Sequence, residues 1–422
     1  PKDERNDRKN RVARFMSRRR RISRTNALAT VFGLFVLFVI GFITSVFGFA
    51  TGGGISPGST ATAVTAPPVD TFQPPMDTPI VILPTLEAPI GAWWEVYFTD
   101  PLLVNDPAQW QLSIEGRLIE KINAAQNSIH IASFEFDLMP VAEALIAARN
   151  RGVDVRWVTD DEYGILADEE PDRGQFAMLQ QAGIEVRSDT RSALMHNKFW
   201  IFDAQTVWTG STNITENAVF KQDNNTIVIH SPVVAAIYER EFQEMWDGQF
   251  GPTSPSQLAE QSTNVNGTPI WVIFTSEDRA LEQAIIPVVN FAQTSIRFLA
   301  FSFTDYPLAN AMVSRSQSGV SVAGVYEKVG SDTEAAEFRT LFCGGVAVRK
   351  DGNPSFMHDK VIIVDGRFVI TGSMNFSTSA EESNDENVII LDNPDIASLY
   401  LQDFDRVWAR AADPGPGTAP CQ

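Results

Sequence analysis

Two kinds of apolar pattern divide this chain of 422 residues. The first is an uncharged run from Ala27 to Ala50, rich in Val31, Phe32, Leu34, Phe35, Leu37, Phe38 and Ile40. Wound as a helix it would span ~36 Å, more than the ~30 Å of a bilayer's hydrocarbon core. The second is a body of short apolar runs separated by amphipathic stretches. Ser128-Ile129-His130-Ile131-Ala132-Ser133-Phe134 reads as a strand, preceded by a helical stretch at Ile114 to Gln126. A second helical pattern follows, and then a strand from Gly152-Val153-Asp154-Val155.

That series occurs twice. Trp94 to Thr99 is echoed by Pro269 to Thr275, and Ile114 to Gln126 by Ala280 to Gln293. Ser128 to Phe134 returns as Ser295-Ile296-Arg297-Phe298-Leu299-Ala300-Phe301, and Gly152 to Val155 as Gly319-Val320-Ser321-Val322. One large period means duplication rather than a solenoid. Strands alternating with helices predict an α/β fold, two units about a pseudo-two-fold axis. The turn-rich stretch from Gly251 to Gly267 is expected to link them.

Charge adds topology. Residues 1–26 hold 11 Lys or Arg, including Arg18 to Arg21, against 3 acids; the rest of the chain holds 22 basic and 49 acidic residues. Positive charge stays on the cytoplasmic side, so the acidic body is expected outside the cytoplasm. A cleavable signal peptide would have a shorter apolar core, roughly 7–15 residues, and a signal-anchor is the expectation here. From Thr51 to Pro89 a glycine triplet and eight prolines preclude a packed core and predict a spacer. The expected divisions are a basic tail at 1–26, a transmembrane segment at 27–50 and a linker at 51–92. Two halves follow at 93–250 and 268–412, then a tail at 413–422. Cys343 and Cys421 are too few for a zinc or redox motif; bonded and free thiols both remain open.

The most polar part of the repeat is its strongest. His196-Asn197-Lys198 is followed by four apolar residues, Asp203, and Gly210-Ser211-Thr212-Asn213. His358-Asp359-Lys360, Val361 to Val364, Asp365 and Gly372-Ser373-Met374-Asn375 repeat it with identical spacing. In extended chain, residues two apart share a face, so His196 and Lys198 point together, as do His358 and Lys360. Ser211 with Asn213, and Ser373 with Asn375, would return on the neighbouring strand. Asp203 and Asp365 fall where the chain must turn. Two facing halves would surround one anion with ammonium and amide donors, flanked by two imidazoles: a phosphate site with an acid–base pair. A buried lysine on a strand is costly without an anion, and here it occurs twice.

Both copies resemble the H-x-K-x4-D-x6-G-S-x-N signature of the phospholipase D superfamily, over roughly residues 93–412. The resemblance implies two phospholipase D-like α/β sandwich halves, packed as a pseudo-dimer behind one transmembrane helix, with the site at their interface. It implies a two-step exchange in which one histidine becomes a phosphohistidine and water or an alcohol then takes the phosphoryl group. Lys198, Lys360, Asn213, Asn375, Ser211 and Ser373 would bind the phosphate. No cofactor or metal and no obligate dimer enters this expectation. An acidic residue beyond the motif orients the histidine in the family. Glu386, in Asp385-Glu386-Asn387, is expected to serve His358, while Asn224, in Asp223-Asn224-Asn225, stands at the other position. Family order favours His196 as nucleophile and His358 as acid; the carboxylate argument favours the reverse.

Phospholipid hydrolysis, nucleic-acid cleavage and phosphatidyl transfer of the cardiolipin synthase kind all use this apparatus, as would a phosphate-binding module without catalysis. The membrane segment and the acidic body favour phospholipid over duplex DNA or RNA. His130 and His230 are expected to be structural, Trp93 and Trp94 to belong to the core.

Overall fold

The computed structural model describes residues 92–415 and 421. The basic tail, the apolar run at 27–50 and nearly all of the linker lie outside these residues. No described helix is long and apolar enough to cross a membrane.

The first half is a seven-stranded mixed sheet, built from β1 (Trp94–Phe98), β2 (Ser128–Ser133), β3 (Asp154–Thr159), β4 (Glu185–Ser188), β5 (Lys198–Phe202), β6 (Thr206–Gly210) and β7 (Asn225–His230). Their order across the sheet is β1-β7-β6-β5-β2-β3-β4. The second half contains β8 (Ser262–Val265), β9 (Thr268–Thr275), β10 (Ser295–Ala300), β11 (Ser321–Tyr326), β12 (Ala347–Lys350), β13 (Lys360–Val364), β14 (Phe368–Gly372) and β15 (Glu386–Asp392). Read from its opposite edge, its order is β8-β9-β15-β14-β13-β10-β11-β12. Every strand of the first half thus has its counterpart, and β8 is the single addition. It lies within the stretch expected to be a linker. Asn266 and Gly267 both take positive φ (50° and 86°), giving the two-residue hairpin turn that pairs Val265 with Thr268.

Parallel pairing of β2 with β3, and of β10 with β11, needs a crossover, supplied by helices at Met139–Asn150 (α1) and Tyr306–Gln317 (α2). Each starts with proline in its first turn, where a missing N–H costs nothing. Two longer helices, Pro232–Trp246 (α3) and Pro394–Arg410 (α4), follow β7 and β15. Ser231 and Asn393 cap them by accepting from backbone N–H groups in the first turn.

Strand alternation sorts side chains into two layers. On β5, Phe199 and Ile201 enter a core shared by both halves, with Val361 and Ile363 of β13 and with Tyr238, Phe242, Tyr400 and Phe404 of the long helices. Trp200 and Phe202 face the other way, into an outer core with Trp157 and Leu145. Trp93 and Trp94 pack against the shared core. Cys343 and Cys421 form a disulfide, and Lys350 pairs with Ala412, so the tail is tied to the edge of the second sheet.

Candidate active site

Register brings the motif lysines to one end of each sheet: Ser133 pairs with Lys198, and Ala300 with Lys360. The turn that follows each of these strands is held by its aspartate. Asp203 (φ 53°) accepts from the N–H groups of Gln126, Asn127 and Ser128; Asp365 (φ 54°) accepts from Gln293, Thr294 and Ser295. Both are scaffold groups. Gly210 and Gly372, the motif glycines, take positive φ (147° and 145°). Each lies close against a neighbouring strand: a Cβ at Gly210 would lie 2.3 Å from the Asn225 carbonyl oxygen, and one at Gly372 2.1 Å from that of Asn387.

His196 and His358 are both buried, each against an aromatic ring. Phe134 meets His196 edge-on at 4.8 Å and Phe301 meets His358 at 4.6 Å. The same rings carry the lysine ammonium groups, Lys198 at 5.1 Å and Lys360 at 4.7 Å. Lys198 Nζ donates to the His196 carbonyl oxygen (2.8 Å), Lys360 Nζ to that of His358 (2.6 Å). Two protons on each ammonium remain for a ligand. Burial, followed by the charges of both lysines, pushes each imidazole well below its ordinary pKa. Burial lowers Lys198 to about 8 and pushes Lys360 well down. The four groups therefore share one electrostatic centre, its positive charge only partly offset by nearby carboxylates.

The carboxylate is crossed between halves. Glu386, expected to orient His358, bonds instead to His196: Nδ1 to Oε2 is 2.7 Å. His358 Nδ1 lies 2.9 Å from Asn224 Oδ1. The reason is that each motif histidine is threaded beside the last segment of the opposite half. His196 N donates to the Asp385 carbonyl (2.9 Å) and His358 N to the Asp223 carbonyl (2.8 Å). The residue after each carbonyl then faces the histidine of the other half.

Both partners are fixed in turn. Ser373 Oγ donates to Glu386 Oε2 (2.8 Å), and Asn384 Nδ2 to Oε1 (3.2 Å). Ser211 Oγ donates to Asn224 Oδ1 (2.9 Å), while Asn224 Nδ2 donates to the Ala218 carbonyl (3.0 Å), which sets the amide's orientation. The serine hydroxyls, expected at the phosphate, thus spend their protons behind the histidines. Nδ1–H donated to Glu386 or Asn224 leaves Nε2 of each ring for chemistry. Burial raises Glu386 to about 7, opposed by Lys198, Ser373 and Asn384.

The amides differ. Asn213 Nδ2 donates to Glu135 Oε2 (3.1 Å), and its own Oδ1 is buried without a partner. Asn375 Oδ1 is likewise buried without a partner.

Sequence reasoning missed three groups. Phe134 and Phe301 were visible only as matching ends of matching strands. Asp160 and Glu327 follow β3 and β11 and accept from Met195 N (3.1 Å) and Met357 N (2.7 Å), holding the residue before each histidine. Asn197 and Asp359, inside the motifs, accept from Asn387 Nδ2 (2.9 Å) and Asn225 Nδ2 (2.7 Å) across the two halves. His130 and His230 lie apart from the site and pair with Glu239 and Glu95.

Asp160, Asp161 and Asp189 bring oxygens within 4.8 Å of one another. Asp160 already accepts from Glu162, Tyr163 and Met195, and Asp189 from Asp161, so the group serves the loop behind His196.

Comparison with known proteins agrees with this geometry. The family described as cardiolipin synthase, PLD-like domain, matches residues 118–246 and 285–408, more than half of the chain and one segment in each half. The mitochondrial cardiolipin hydrolase of Danio rerio is 33% identical over 150 residues, covering 35% of this chain and 62% of that protein. A phospholipase D of Rickettsia felis is 32% identical over 116 residues, 28% of this chain and 58% of its own. The chain thus spans less than two thirds of the length of these curated relatives. The phosphatidylserine synthase of Haemophilus influenzae shares the fold, with a TM-score of 0.55 at 14% identity, over 75% of this chain and 87% of that one. With a duplicated sheet and two His-Lys motifs meeting at one centre, this chain belongs to the phospholipase D superfamily, within its cardiolipin synthase, PLD-like domain family.

Proposed function

We propose that the chain is a phospholipid phosphodiesterase of the phospholipase D type, working by two-step exchange through a phosphohistidine. The observation that carries the mechanism is the unequal pair of histidine partners: a carboxylate behind His196 and a neutral amide behind His358. A carboxylate on Nδ1–H makes Nε2 more electron-rich and stabilises the cationic ring of a phosphohistidine. A neutral amide leaves the His358 imidazolium a stronger acid. His196 Nε2 attacks phosphorus, the bond to the leaving alcohol breaks, and His358 Nε2–H gives that oxygen its proton. Water then attacks phosphorus, loses a proton to His358, and releases His196.

Lys198 and Lys360 hold the non-bridging oxygens, with Asn213 and Asn375 beside them. A diester between the lysines supplies the charge that raises His358 into its protonated form before attack. The crossing supports this order, since family order and carboxylate placement then both favour His196 as nucleophile. An alcohol in place of water would give phosphatidyl transfer at the same site. The lipid assignment rests on the names of the relatives and on the acidic body, which gives no general attraction to a nucleic-acid backbone.

A substrate panel tests it. Wild type should release headgroup from phospholipid vesicles and pass the phosphatidyl group to a primary alcohol, and His196→Ala and His358→Ala should do neither. Cleavage of single-stranded DNA in EDTA, with inert vesicles, would transfer the assignment to a nuclease.

A further inference from the structure

Besides Glu386 and Asn224, the two halves differ at a matched position near the motif lysines. Two residues beyond the pair Ser133–Lys198 stands Glu135; two residues beyond Ala300–Lys360 stands Ser302. Glu135 accepts from Asn213, one of the two amides that flank the phosphate. A carboxylate there offsets part of the ammonium charge on the first-half side only. It makes that side hostile to a second negative group and hospitable to a positive one.

The surroundings extend this field. Glu135 and Asp137 lie either side of Phe136, which packs into the outer core, and both reach the same loop: Asp137 Oδ1 accepts from Glu216 N at 2.7 Å. Beside Asp137 is a cavity of about 320 Å³, lined among others by Glu115, Asp137, Asp172 and Glu216, with Arg173 its one basic residue. Arg173 lies 3.8 Å from Asp137. Glu115 is 2% exposed, and its Oε1 is buried without a partner. Burial, then Asp137 and Glu216, raises Glu115 to about 7, the behaviour of a carboxyl group short of a cation. These oxygens do not converge as a metal's ligands would, since the one such cluster among the described residues is Asp160, Asp161 and Asp189. A broader cation, an alkylammonium, suits them better.

We propose that Glu135 is a specificity-determining residue, selecting phosphodiesters with an alcohol arm that carries an ammonium group within its reach, with the acid-lined cavity beyond Asp137 reinforcing the choice. This rests on the reading of the site as a phospholipid phosphodiesterase, and names the headgroup chemistry that such an enzyme would take. An arm bearing a further phosphate would meet Glu135 as like charge. An uncharged polyol would lose the ion pair and keep the rest.

Glu135→Gln tests the charge alone, because glutamine retains an acceptor for Asn213 Nδ2. Calorimetry with glycerophosphoethanolamine and glycerophosphoglycerol, equal in diester and unequal in ammonium, needs no turnover. Wild type should bind the ethanolamine compound roughly three- to tenfold tighter, the range for a partly shielded ion pair, and Glu135→Gln should bring the two together. Glu115→Gln should reduce the preference in the same direction. Equal binding by wild type, or an unchanged ratio in Glu135→Gln, would overturn the proposal. The same two headgroups in vesicles report on turnover separately. Absence of any lipid turnover, with the binding preference intact, would sink the lipid assignment and leave the role of Glu135 standing.

Discussion

At the scale of single residues, the account turns on which side chain stands behind which histidine. Glu386→Gln keeps an acceptor for His196 Nδ1–H but loses the charge, and should lower kcat on the order of a hundredfold. Asn224→Asp places a carboxylate behind His358, makes it a weaker acid, and should cost far less. Steady-state kinetics on both variants gives the comparison, and a larger loss in Asn224→Asp would reverse the roles of the histidines. Lys198 adds a pH signature. Its ammonium, lowered to about 8, is charged below that pH and neutral above it. KM for a diester should therefore climb above pH 8, and Lys198→Arg, which stays charged, should move that limb upward. His196, pushed below its ordinary range, keeps Nε2 unprotonated at neutral pH in the free enzyme. The residue types were legible in the sequence because spacing alone repeats His, Lys, Ser and Asn. Their partners were not, because Glu386 lies in the same half as His358, and only tertiary threading carries it to His196.

Elements set these residues in place, and the turns are where they are most exposed to a single change. Asp203 receives three backbone N–H groups that no other acceptor satisfies within the turn. Asp203→Ala should cost about 1–3 kcal/mol, read by urea unfolding, with KM little changed. Equal stability would refute its scaffold role. The strands and helices of the repeat were readable from period-two and helical patterns. β8 was not legible because the prolines and glycines around it are typical of a linker, although Asn266-Gly267 is a strong hairpin turn in its own right. Disulfide pairing was undecidable from two cysteines. The bond closes a loop of 78 residues, so Cys343→Ser should lower stability by about 2–4 kcal/mol, measured by thermal unfolding with and without reductant.

For the whole molecule, catalysis and folding depend on the same crossing of halves. Asp223 is fully buried and accepts from Arg406 Nη1 (2.8 Å) and Arg410 Nη2 (2.6 Å) of α4, while its backbone carbonyl holds His358 N. Asp223→Ala removes one shared buried partner of the two guanidinium groups, Arg406 keeping Asp403, and should cost about 1–3 kcal/mol. The backbone carbonyl that holds His358 N is unchanged, so the folded variant should keep its activity; full stability by chemical denaturation would contradict this. Duplication was plain in the sequence. That the two halves share one core was not, since Phe199 and Trp200 look alike in sequence yet serve different layers.

The most direct test is the site of the covalent intermediate. His358→Asn, mixed with bis(p-nitrophenyl) phosphate, whose leaving phenolate needs no proton, should release one burst of nitrophenolate. Alkaline quench and peptide mass spectrometry should then place the phosphoryl adduct on His196. An adduct on His358 in the reciprocal variant His196→Asn, or no adduct in either, would contradict the account.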